Sequence, residues 1–114
     1  DVRKFTDNTG GGADHVSYVT GTTDYLFLLA EFEYHGSRTY ANSAEKNYQK
    51  QYDYYKAGNS KVHNRFENPE SAVCAWTRSA YAGNSDTFCR AGTDGTPGTH
   101  YADTSWALAP GFAV

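Results

Sequence analysis

One spacing occurs twice along the chain. Trp76 is followed, across four residues, by Tyr81, and Gly83 comes one spacer later; upstream, Leu29, Tyr34 and Gly36 stand at the same intervals. Each copy is trailed by an aromatic, Phe88 and Tyr40, and by a more distant serine, Ser105 and Ser71. A glycine just past an aromatic lets the backbone fold back between two strands. The ring then covers the fold, and the distal serine can hydrogen-bond backbone left open there. Tyr34, Gly36, Ser71, Trp76, Tyr81, Gly83 and Ser105 are therefore the expected framework residues. Ten tyrosines and eleven glycines suit a sheet protein with short elements.

Between the two copies the pattern changes. Asn42 precedes Glu45 in a capping-box arrangement, Tyr48, Tyr52 and Tyr55 fall on one helical face, and Gly58 is a natural stop. This predicts one short helix near residues 43–57. Tyr25 to Glu33 is the clearest strand, His15 to Thr20 a further strand, and Gly21 to Asp24 a turn. Residues 1–14, with Gly10, Gly11 and Gly12, read as a loose N-terminal arm.

The repeated spacing resembles the double Greek-key motif of the βγ-crystallins. The second copy keeps every motif position, whereas the first departs from it with Leu29 in place of the leading aromatic. The resemblance covers about residues 15 to 110. It implies a mainly β fold in which two Greek-key units form a β-sandwich, residues 15–73 with the helical insertion and residues 74–114, within a single domain 1–114.

Composition narrows the partners. A net charge of −3 and a pI near 5.7 argue against nucleic acid. The longest apolar run, Tyr25 to Ala30, is far short of a membrane span. The chain has no methionine and begins at Asp1, which fits a processed, secreted, extracellular form, and a monomer is expected. Cys74 and Cys89 are expected to form one disulfide, because a fold-back around Tyr81 and Ala82 would set them on adjacent strands.

The four histidines, His15, His35, His63 and His100, show no zinc-protease spacing. An enzyme alternative gathers Glu31, His35, Arg38 and His63 as the base, acid and phosphate clamp of a small secreted ribonuclease-like hydrolase. Glu33 shares the strand face of Glu31 in this reading. Many βγ-crystallin domains bind calcium through a segment that Asn68 and Ser71 retain only in part, so no metal or other cofactor is favoured. Thr93, Asp94, Gly95, Thr96, Pro97 and Gly98 form a loop directly after Cys89, a natural place to present a recognition segment. Small microbial proteins similar to βγ-crystallins act by binding. The resemblance thus implies a secreted non-enzymatic binding protein, with a protease inhibitor first, a killer-type antimicrobial toxin second, and a protein target in either case.

Overall fold

In a computed structural model of the chain, which describes residues 3–8 and 14–112, the backbone is mainly β with a few short helices. Its elements in order are β1 (Arg3–Asn8), a 3-10 turn (Val16–Tyr18), β2 (Val19–Asp24), β3 (Leu26–Leu28), α1 (Glu31–His35), a second 3-10 turn (Ser43–Asn47) and α2 (Asp53–Lys56). Then follow β4 (His63–Asn64), β5 (Ala72–Val73), β6 (Ala75–Ala80), β7 (Thr87–Ala91), β8 (Pro97–Tyr101) and β9 (Pro110–Phe112). All paired strands are antiparallel: β6-β7-β8 form a meander, and β1-β2, β3-β9 and β4-β5 form two-stranded ribbons. Among the described residues no helix is long and apolar enough to cross a membrane.

The N-terminal segment differs from a loose arm. Arg3–Asn8 pairs along its whole length with Val19–Asp24, from Arg3 opposite Asp24 to Asn8 opposite Val19. The expected turn at Gly21 to Asp24 is therefore strand, because a partner strand supplies the bonds that a turn would otherwise make locally. The glycines 10–12 lie outside the described residues.

The strand expected over Tyr25 to Glu33 stops at Leu28, and a one-turn helix, α1, takes its second half. Glu33 decides this locally: its Oε2 accepts the Ala30 N–H at 2.9 Å, capping the helix start. Gly36 ends it in the left-handed region (φ 69°), donating its N–H to Phe32 O at 2.8 Å. Thus the first copy of the aromatic spacing closes a helix instead of turning a hairpin, and the two copies are not structural equivalents. In the second copy the chain does fold back, between β6 and β7, and the Tyr81 ring lies against the Gly83 backbone. Gly83 does not have a positive φ; Gly95 does, at 81°.

The single helix near residues 43–57 is also divided. Its middle is drawn into tertiary bonds: Tyr52 N–H donates to Glu33 O at 3.0 Å and the Gln51 amide donates to Tyr34 O at 2.9 Å. An intact helix would need that same Tyr52 N–H for its own ladder. The tyrosine stripe is split with it. Tyr48 points to solvent, while Tyr55 packs on Tyr34 with ring centroids 5.0 Å apart.

Cys74 and Cys89 are both free thiols. The strand register explains it. Ala75 lies opposite Ala91, so Cys74 sits beyond that end of the ladder, whereas Cys89 faces an irregularity between Trp76 and Ala80. There the Thr77 hydroxyl donates to Cys89 O at 3.0 Å and accepts from Ser79 N–H at 3.2 Å, stitching the bulge. Burial, with the carboxylates of Glu31 and Glu45 nearby, pushes the Cys89 thiol well above its usual range and keeps it protonated.

Candidate functional site

The interior is built from small side chains and polar ones. Ala30, Ala75, Ala91 and Cys89 are fully enclosed, and so are Glu31, Asn42 and Ser79, with Glu45 almost so. The Glu31 carboxylate accepts three successive backbone N–H groups, from Thr39 at 2.7 Å, Tyr40 at 3.0 Å and Ala41 at 3.2 Å. It therefore acts as an internal anion in a nest made by the loop after α1. The Glu31 N–H donates to Ser79 Oγ at 3.0 Å, and Ser79 Oγ donates onward to Glu45 Oε2 at 2.9 Å. Glu33 meets Arg78 in a two-pronged ion pair, 2.7 Å on each arm, and Arg78 also donates to Leu28 O at 2.8 Å. Asn42 completes the frame, donating to His15 O at 2.7 Å and accepting from Ala44 N–H at 3.0 Å.

The residues of the hydrolase alternative have these partners. Glu31 accepts from backbone N–H groups, and Arg38 donates to Ala41 O at 2.6 Å and to Asp14 at 3.3 Å. His35 and His63 instead flank the buried Tyr34, with ring centroids 5.9 and 5.6 Å from it, and the Tyr34 hydroxyl lies 3.0 Å from His63 Nε2. Asn68 and Ser71 sit on an exposed turn in which Asn68 Oδ1 accepts the Glu70 N–H. Among the described residues no three His, Cys, Asp or Glu side chains are grouped to hold a metal ion.

The two histidines give the fold a pH dependence. Burial, with Lys61 adding a smaller push, holds His35 down to about 4 from an ordinary 6.5; burial also lowers His63. The folded chain then binds fewer protons than the unfolded chain between those values, so stability falls as pH drops from about 6.5 toward 4. The urea midpoint is expected to decline across that window, and His35→Phe to flatten the decline. An unchanged profile in the variant would show that His35 does not drive it.

The outer face is different in kind. Trp76 and Trp106 stack at 4.9 Å, His100 packs edge-on to Trp106 at 4.7 Å, and the Arg90 guanidinium lies over the Trp106 ring at 5.5 Å. The Arg90 side chain runs close along the Gly92 and Gly98 backbone, where a Cβ at either glycine would meet it. Thr104 Oγ1 fixes His100 Nδ1 at 2.8 Å. The strands set this up: Trp76 is directly opposite Arg90, and Arg90 opposite Gly98. Two clefts open here. One, of about 420 Å³, is lined by Asn64, Phe66, Ser105, Trp106 and Leu108 among others. The second, of about 230 Å³, is lined by Leu28, Trp76, Thr77, Phe88, Ala102 and Leu108. Leu108 is common to both.

The segment Thr93 to Gly98 is the tip and first strand residues of the β7–β8 hairpin. Gly95 N–H donates to Gly92 O at 2.9 Å, Gly92 N–H to Thr96 O at 2.8 Å, and Asp94 Oδ1 accepts from Thr96 N–H at 3.1 Å and from its hydroxyl at 2.6 Å. With Gly95 left-handed, this is a tight three-residue turn with a bulge. Arg90 ties it to the tryptophan pair. Sequence reasoning singled out Trp76, Phe88 and this segment but missed Phe66, Arg90, Trp106 and Leu108. The available signal was the scarcity of tryptophan: the chain has only two, and both are here.

No curated protein and no solved structure matches the chain significantly. Residues 2–114 match the family described as Domain of unknown function (DUF6273), and over nearly its whole length the chain therefore belongs to that family.

Proposed function

We propose that this domain is a non-catalytic binding module that holds a protein partner on the paired clefts around Leu108. The observation that supports this most directly is Leu108 itself, 66% exposed and shared by both clefts. With Leu108, the 99% exposed Phe66 and Trp106 line one cleft, and Trp76 and Phe88 line the other. Exposed apolar side chains gathered around tryptophan are the composition of interface hot spots. The stacked rings and the Arg90 clamp order these side chains before a partner arrives, which lowers the entropy cost of association. A protease is the target class that the sequence resemblance implies, and the inhibitor reading belongs to this proposal with it.

The test is a panel of metallo-, serine and cysteine proteases, read by residual activity and by direct binding. At least one is expected to be bound, and Leu108→Asp and Trp106→Ala each to weaken that binding by about 2 kcal/mol or more, with the melting temperature of Leu108→Asp barely moving. Unchanged affinity in both variants would move the interface elsewhere. An RNA-hydrolysing activity abolished by His63→Gln but untouched by Leu108→Asp would replace the binding reading with the hydrolase one.

A further inference from the structure

A third cleft, of about 470 Å³, lies where the expected helix breaks. Its walls include Phe32, Lys50, Gln51, Asp53 and Lys56, and it shares no lining residue with the clefts around Leu108. One wall is built with care. Gln51 is pinned by its bond to Tyr34 O and lies so close to the Gly36 Cα that any larger residue there would collide with it.

The charge of this region opposes that of the chain. Residues 46–61 carry Lys46, Lys50, Lys56 and Lys61 against a single acid, Asp53, in a protein of net charge −3. Among the described residues neither Lys50 nor Lys56 enters an ion pair. Tyr48 and Tyr54, both more than 60% exposed, stand in the same segment.

We infer that this cleft is a binding site for an acidic saccharide, a sugar unit bearing a carboxylate or sulfate. The lysine ammoniums are point charges that suit a single acidic substituent. The Phe32 ring in the cleft wall offers apolar surface to a sugar face, and the Asp53 carboxylate and the Gln51 side chain offer partners for hydroxyls. An acidic peptide fits less well. Peptides are gripped along a strand edge, in a helix-sized apolar groove or by arginine clusters, and this cleft lies between α1 and α2 and the segment joining them, with lysines in place of arginines.

The experiment is a titration of the whole chain, followed by NMR or calorimetry, with a galacturonate oligosaccharide, the matching neutral galactose oligosaccharide and a poly-glutamate peptide. The galacturonate oligomer is expected to bind, to weaken as salt shortens the screening length, and to lose about tenfold or more in affinity in the Lys50→Ala, Lys56→Ala double variant. Both substitutions are on exposed side chains, and far-UV circular dichroism checks that the fold persists. Leu108→Asp is expected to leave this binding alone. Absence of galacturonate binding, equal binding of the neutral oligomer, indifference to the two lysines, or tighter binding of the peptide would each overturn the assignment.

Discussion

Glu31→Ala is expected to be the most damaging single substitution in the molecule, costing about 3–5 kcal/mol in urea denaturation. The carboxylate is wholly buried and accepts N–H groups from Thr39, Tyr40 and Ala41. Truncation removes the acceptor while leaving its donors in place, and each buried donor left unsatisfied costs about 1–3 kcal/mol. The loop can recover some of this by admitting water at Thr39, which is exposed, but not at Ala41, which is enclosed. A domain of ordinary stability, about 5–15 kcal/mol, would lose a large share of its margin. Glu31→Gln keeps the shape but turns an amide toward donors, so it is expected to fall between wild type and Ala. A loss below about 1 kcal/mol for Glu31→Ala would mean that the loop does not depend on this anion.

Glu33→Ala is expected to cost nearly as much, for a different reason. It removes the two-pronged carboxylate partner of the Arg78 guanidinium, whose side chain is only 10% exposed. Breaking a buried pair from one side typically costs about 3–5 kcal/mol, whereas replacing both partners with apolar groups of similar volume is often neutral. The Glu33→Leu, Arg78→Met double variant is therefore expected to be more stable than Glu33→Ala alone, as read from denaturation midpoints. Should the double variant prove the weaker of the two, the ion pair would be a net stabiliser rather than a matched set of liabilities. Glu33 also caps α1 at Ala30, so part of the single-variant loss is expected to appear as fraying there.

The sequence carried the fold class through its tyrosines, glycines and short elements, and the fold-back near Tyr81 through the aromatic–glycine spacing. The glycine stops at Gly36 and Gly58 were also legible: both have positive φ, because only glycine takes that conformation at little cost. The identity of the elements that they end was not. In Leu28 to His35, the alternation of Glu31, Phe32, Glu33 and Tyr34 is a strand signal, and it was overruled by the local Glu33 cap at Ala30 together with contacts from far along the chain. Ser79 and Arg78 reach Glu31 and Glu33 from 48 and 45 residues away. Charged residues are normally placed outside, so nothing local marks these two as interior. The candidate binding face was hidden for the opposite reason. Phe66, Phe88 and Leu108 are residues that a sequence reader assigns to a core, and only the assembled sheets show that they were left outside.

A core of alanines and hydrogen-bonded carboxylates also has a thermal consequence. Exposing apolar surface raises heat capacity on unfolding, and exposing polar surface lowers it. Among the described residues, unfolding uncovers from the interior few large apolar side chains, Leu29, Tyr34 and Val73, and several buried polar ones, including Glu31, Glu45, Asn42 and Ser79. Its heat-capacity increment per residue is therefore expected to fall below the usual ~12–15 cal/mol/K, which calorimetry can check. The dependence of stability on temperature is correspondingly shallow, so the protein gives up less of its margin in the cold than a leucine-cored domain of the same length.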